Sequence, residues 1–224
     1  MSCNACQINC ALKSLFAPPD LEAIALIKRE VAYSRSETII KQGAFVSHLL
    51  IVKTGIVKTI SEGGNGKNIG LKFFISGNIA GISALGNKEW NYFSAIAQTD
   101  CNLCLININE LTEIIFHLPE SIKKIQKLIS EEFKFLFEKI AVNGTRNMHG
   151  KLANTLLYLN SAEFKNEDIF SSITRKEIAE LSGMSVESML KILQELKADK
   201  IISTDNKSII INDMNMLQRL SKMG

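Results

Sequence analysis

Cys3, Cys6 and Cys10 stand in the opening stretch MSCNACQINCALKS, spaced Cys-x2-Cys-x3-Cys. Thiols at such spacing can form a disulfide, a redox couple, a zinc site or part of an iron–sulfur cluster. Chain ends normally fray, so thiols placed there need something to hold them. Three local sulfurs are one short of the four that zinc or a cubane takes, and the fourth must come from elsewhere. A thioredoxin-like reading of Cys3-Asn4-Ala5-Cys6 lacks the surrounding βαβ unit. His48, His117 and His149 are scattered and read as surface or capping residues. Without a serine–histidine–acid set, a P-loop or paired carboxylates, the chain does not read as an enzyme.

A second stretch carries a different chemistry. In TRKEIAELSGMSVESMLKILQELKADKII, residues 174–202, Thr174 is placed to cap a helix, with Glu177 three residues on as the partner in a capping box. Ile178, Ala179 and Leu181 supply the buried face of that helix. Gly183 permits a left-handed turn, and Ser185 starts a second helix. Met189, Ile192, Leu193 and Leu196 form its inward stripe, leaving Glu187, Ser188, Lys191 and Glu195 on the other side. Helix, glycine-bearing turn, helix is the geometry that sets a recognition helix in the DNA major groove. Hydroxyls and amides near Thr174, Arg175 and Ser185 would then hold phosphates. Glu187 could accept from a cytosine amine, Lys191 donate to guanine, Ser188 bond an edge or phosphate, and Leu190 touch a thymine methyl. An ordinary helical hairpin has similar spacing, but the small Ala179, the glycine and two caps in register favour the DNA reader.

The elements that must position these residues follow from length and pattern. The 224 residues carry a net charge of +3, with 46% hydrophobic and 22% charged side chains, a balance compatible with nucleic acid but not requiring it. No run of about twenty apolar residues and no secretory leader is visible, so no membrane span and a cytoplasmic location are expected. In that compartment five cysteines suit ligation, redox sensing or burial better than a disulfide framework. Residues 12–30 read as a short amphipathic helix behind Pro18-Pro19. From 37 to 108, short apolar runs (TII, HLLIVKTG, IVKTI, IGLKFFI, FSAIA, LCLI) separated by glycines predict an antiparallel sandwich, barrel or roll, with a hairpin loop at 61–68. Ile122, Ile125, Ile129, Phe133, Leu136 and Ile140 then mark one stripe of a helix of about six turns, starting at Pro119 and stopping at Gly144. That stripe suits its own domain and a twin helix equally. After further helices, two β-rich runs around Asp205-Asn206-Lys207 predict a closing hairpin, the wing of a winged helix-turn-helix.

A glycine-punctuated roll, a long apolar helix and TRKEIAELSGMSVESMLKIL together resemble the Crp/Fnr superfamily of bacterial transcription regulators. The resemblance spans essentially the whole chain and is sharpest in the helix-turn-helix. It implies an α+β fold: a cysteine-rich segment at 1–15, a cyclic-nucleotide-binding-like antiparallel β-roll at 16–117, a dimerisation helix at 118–144 and a winged helix-turn-helix at 145–224. The implied partners are a second copy through helix 119–142, double-stranded DNA with a roughly palindromic operator, and RNA polymerase. Where cyclic-AMP responders carry a glutamate and an arginine, AGISALGNKEWNYFSAIA has Ile82 and Phe93, so no cyclic AMP is expected.

The chain further resembles the fumarate–nitrate reduction type, in which an N-terminal cysteine cluster and one distant cysteine hold a 4Fe–4S cluster. Cys104 falls where that distant ligand lies, which implies Cys3, Cys6, Cys10 and Cys104 as cofactor and metal ligands and oxygen or redox state as the signal. Ser185, Val186 and Glu187 look like that subfamily's helix start. The chain departs from the pattern in its three-residue gap between Cys6 and Cys10, in Leu190 for serine and in Lys191 for arginine, a point donor replacing a fork. Zinc in the same sulfurs, or Cys104 as a buried hydrophobe in its strand, remain open readings. Cys101, three residues before Cys104 on one strand, faces the other side. The alternative reading keeps the architecture without a cluster and gives the roll another small ligand.

Overall fold

The structure is a computed structural model that describes residues 3–64, 67–86, 89–165, 167–205 and 208–223. It divides into two compact units, Met1–Glu62 with Lys72–Lys134, and Gly63–Leu71 with Phe135–Gly224.

The first unit begins with helices α1 (Leu12–Leu15) and α2 (Pro18–Ile27). Pro18 and Pro19 occupy the first positions of α2, where a missing N–H costs nothing. Leu21 and Ile24 turn inward, whereas Leu26 lies outside. The helix ends at Ile27, earlier than expected, because the following residues form strand β1 (Lys28–Tyr33) along β8 (Cys101–Asn107). The six apolar runs all become strands: β2 (Thr38–Ile40), β3 (His48–Thr54), β4 (Val57–Glu62), β5 (Asn68–Phe74), β7 (Ser94–Ala97) and β8, with a short β6 (Ile79–Ala80) unforeseen. The hairpin expected at 61–68 joins β4 to β5, and its residues 65 and 66 lie outside the described residues.

Two four-stranded sheets result, ordered β1-β8-β3-β6 and β2-β7-β4-β5. Leu50, Val52, Leu103 and Cys101 point between the sheets, together with Val57, Phe74 and Ala95. Leu49, Ile51, Cys104 and Ile106 point the other way, onto α1, α2 and α3 (Ile108–Phe116). Both faces of this sheet are covered, which is why HLLIV reads as a continuous apolar run instead of an alternation.

Helix α4 (Pro119–Thr145) follows. Its stripe divides. Ile125 is buried in the outer core of the roll with Ile122 and Ile129 against it, and the Ser121 hydroxyl donates to the Leu15 carbonyl at 2.9 Å. Phe133, Leu136, Phe137 and Ile140 are exposed. Gly144 does not stop the helix; it lies inside the last turn, and Asn147 opens the next helix by accepting from the Gly150 amide at 2.9 Å.

The second unit contains α5 (Met148–Leu159), α6 (Ile169–Ser172), α7 (Arg175–Leu181), α8 (Val186–Ala198), the antiparallel hairpin β9 (Ile202–Asp205) and β10 (Ser208–Ile211), and α9 (Met214–Lys222). Residues 206 and 207 of the expected turn lie outside the described residues. The terminal helix α9 had no counterpart in the sequence reading. It packs on α5, burying Leu217, and the Arg146 guanidinium donates to the Lys222 carbonyl at 2.6 Å.

Candidate nucleic-acid interface and thiol pocket

The capping box forms as its spacing predicts. The Thr174 amide donates to the Glu177 carboxylate at 2.6 Å, and the Glu177 amide donates back to the Thr174 hydroxyl at 3.4 Å. Ile178, Ala179 and Leu181 are buried. Gly183 has φ +64°, and a Cβ there would stand 3.3 Å from the Asn143 side chain of α4, so both conformation and space ask for glycine. The Lys139 ammonium of α4 donates to the Leu181 carbonyl at 2.9 Å, satisfying one of the free carbonyls at the end of α7. Burial pulls that ammonium down from the usual lysine range to about 8.

Ser185 caps α8 by accepting from the Ser188 amide at 3.1 Å, and its hydroxyl also donates to that of Ser188 at 2.9 Å. Met189, Ile192, Leu193 and Leu196 are all buried. Val186, Glu187, Leu190 and Lys191 are exposed, Thr174 and Ser185 also, while Arg175 and Ser188 are half-buried. Glu195 lies off the buried stripe as expected, with 43% of its side chain exposed, and its carboxylate also stands 2.7 Å from His149 Nε2 of α5. The wing is tied to the same helix through Lys197, which donates to the Thr204 hydroxyl at 3.1 Å.

The thiols converge on one small cavity. Cys3, Cys6, Cys10 and Cys104 line it with Ile8, Leu12, Lys28, Ile51, Lys53 and Ile106. The N-terminal segment is held against the roll by several contacts. Asn4 donates to the Pro18 carbonyl at 2.9 Å, Lys13 to the Cys6 carbonyl at 2.5 Å, and the Ala11 amide to the Gly77 carbonyl at 2.9 Å. Gly77, at φ +90°, admits the passing segment, because a Cβ there would meet the Asn9 carbonyl oxygen at 2.6 Å. Cys101 is separate. It is buried between the sheets, and its thiol donates to the Ile56 carbonyl at 3.2 Å.

Burial pushes the Cys104 thiol up to about 11, with the Lys28 ammonium opposing, and likewise raises Cys3. Burial also pulls on Lys28, but Cys3, Cys104 and Glu30 outweigh it and hold that ammonium above its usual range. Both thiols therefore carry protons at neutral pH, and a metal entering the pocket must displace them. Among the described residues no group of three or more His, Cys, Asp or Glu side chains is arranged to hold a metal ion as it stands. A single zinc would need all four sulfurs drawn to about 2.3 Å from one point. Lys28 and Lys53 escaped the sequence reading, since only the strand register places them beside cysteines.

A small pocket of the roll is lined by Val46, Gly81, Ser83, Ala84, Trp90, Asn91, Tyr92 and Phe93. None of these is charged, and Ile82 is buried in the core.

Two family profiles match the chain: "Cyclic nucleotide-binding domain" over residues 30–117 and "Crp-like helix-turn-helix domain" over 150–220. An "Anaerobic regulatory protein" of Pasteurella multocida is 26% identical over 226 residues, spanning 96% of this chain and 82% of that protein. A "Fumarate and nitrate reduction regulatory protein" of Yersinia pestis is 24% identical, spanning 96% and 90%. Among solved structures, FixK2 from Bradyrhizobium japonicum shares the fold with a TM-score of 0.77 at 17% identity, covering 87% of this chain and 97% of that one.

Proposed function

The chain belongs to the Crp/Fnr family of DNA-binding transcription regulators, and from that premise we propose that it responds to oxygen or redox state through a 4Fe–4S cluster held by Cys3, Cys6, Cys10 and Cys104. Proteins of this family are regulators and not enzymes, and they act on DNA as dimers. The observation that carries the cluster reading is that thiols from residues 3–10 and from residue 104 line one cavity.

In this reading α8 lies in the major groove. Thr174, Arg175 and Ser185 hold phosphates and set the register, while Val186, Glu187, Ser188, Leu190 and Lys191 meet the groove. The exposed Phe133, Phe137 and Ile140 support pairing of two chains through helix 119–142, which presents two recognition helices to a roughly palindromic operator. RNA polymerase is the further partner this activity calls for. No helix among the described residues is long and apolar enough to cross a membrane, in keeping with a regulator working in the cytoplasm beside its DNA.

The cluster, when bound, supplies iron whose oxidation state answers to oxygen. The coupling lies in the chain. Cys3, Leu12, Cys104 and Ile125 share one apolar cluster, so thiolates that fix residues 3–10 against β8 also firm the seat of the first half of α4. Releasing the thiolates loosens that seat and weakens helix pairing. A coupling of about 1–3 kcal/mol changes DNA affinity some 5- to 150-fold, enough for a switch. The described residues that line the roll pocket carry no cation, and Ile82 and Phe93 stand where cyclic-AMP responders carry a glutamate and an arginine, so this reading does not rest on cyclic AMP.

Anaerobic purification followed by iron, zinc and acid-labile sulfide assays tests the proposal. Wild type is expected to carry iron and sulfide in equal amounts and Cys104→Ala to lose both. Zinc in place of iron, or negligible metal in both proteins, would overturn it.

A further inference from the structure

We propose that Lys28 is a charge-compensating, positioning residue of the thiol pocket that raises the reduction potential of the cluster; the inference rests on the cluster reading above. The argument begins with strand register. Glu30 of β1 lies opposite Cys104 of β8, and Ile51 of β3 lies opposite Cys104 from the other side. A period of two then puts Lys28, Glu30, Ile51, Cys104 and Ile106 on one face of the sheet, and Lys53, at the register shift of β3, lines the same cavity. Among the described residues that line the cavity, Lys28 and Lys53 are the charged ones.

Between these lysines stands a single carboxylate. Glu30 lies 2.6 Å from the Lys53 ammonium and 3.2 Å from that of Lys28. Two ammoniums on one carboxylate leave a surplus positive charge. The surplus falls on Lys28, which has the longer contact and whose side chain is only 6% exposed, against 19% for Lys53. The other charged groups near the segment are turned to different partners, Lys13 to the Cys6 carbonyl and Glu22 to Asn4. A cation withdrawn from water is costly unless an anion faces it. Thiolates at Cys3 and Cys104 are the anions this place offers, and four of them give the loaded pocket the negative charge that Lys28 offsets. Lys28 has no direct role in ligation. It stabilises whichever redox state of the pocket is more negative, and hence the reduced one.

Full-length protein, purified and loaded anaerobically with iron and sulfide, is titrated electrochemically while visible absorbance and electron paramagnetic resonance are followed. For Lys28→Met the expected result is undiminished iron with a reduced-to-oxidised ratio, at fixed potential, lower by about tenfold. That is the scale Coulomb's law gives for one charge ~10 Å away at an effective dielectric of ~20. A tenfold change corresponds to a potential lower by about 59 mV for a one-electron couple. Lys28→Arg is expected to restore the wild-type potential. An unchanged potential in fully loaded Lys28→Met overturns the inference while leaving the cluster reading intact. If Lys28→Met fails to retain iron, retention by Lys28→Arg supports compensation by charge, and loss in both overturns it. Wild type without iron or sulfide removes the cluster reading first, and this inference with it.

Discussion

The helix-turn-helix is shaped almost entirely by residues 174–196, whereas the thiol pocket joins residues 3–10 to lysines of two strands and a cysteine at 104. Caps, a left-handed glycine and one apolar stripe suffice for the first, and each acts within a turn or two of its neighbours. The second exists only once β1, β3 and β8 are in register. Local elements tolerate change elsewhere in the chain; an assembled pocket depends on the whole roll. The helix-turn-helix also has supports outside its own stretch: Lys139 and Asn143 of α4 reach the end of α7 and the turn, and His149 of α5 meets Glu195.

The largest effect expected from breaking this contrast comes from Met189→Asp. Met189 is fully buried, and an unpaired carboxylate there costs several kcal/mol, enough to abolish operator binding. Iron loading should be retained, because nothing in the thiol pocket comes from α8. Gel shift and iron assay on one preparation check both halves of the statement.

Lys139 sharpens the comparison through pH. Its folded amine holds a proton up to about 8, against 10.5 for the unfolded chain. Between those values unfolding takes up a proton, so stability is lowest below pH 8 and rises with pH above it. Urea unfolding of the helix-turn-helix signal at pH 7.5 and 9.5 should show a gain of about 2 kcal/mol from this group, and Lys139→Met should remove that gain.

A smaller effect is expected at the groove face. Lys191→Ala should lower operator affinity about tenfold and relax preference at one base position, with less change on unrelated DNA at the same salt. Equal loss on both DNAs would move Lys191 to a phosphate. Smallest of all, Thr174→Ala removes the first cap of α7 and should cost about 1 kcal/mol, a few degrees of Tm by calorimetry.

This contrast also governs what could be read from the amino acids alone. The caps at Thr174 and Ser185, the buried faces of α7 and α8, six strands of the roll and the two of the wing were legible because each is written within a few residues. Strand β1 was not, since Lys-Arg-Glu-Val-Ala-Tyr is charged enough to pass for the end of a helix and becomes a strand only by pairing with β8. The contact of Glu195 with His149 was not legible either, because the two lie on different helices. The three N-terminal thiols announced themselves, but their meeting with Cys104 was implied only by resemblance. Lys28 and Lys53 gave no signal at all, because surplus charge is a property of a place and not of a stretch of chain.

The bare second half of α4 has a quantitative consequence. Phe137 and Ile140 are 68% and 66% exposed along a single chain, and in the proposed pairing their burial follows mass action. If two copies pair through this face, as proposed above, copy number acts as an input in its own right: a cell holding few molecules keeps them single. Overproduction does the reverse, populating pairs that no chemical signal has called for.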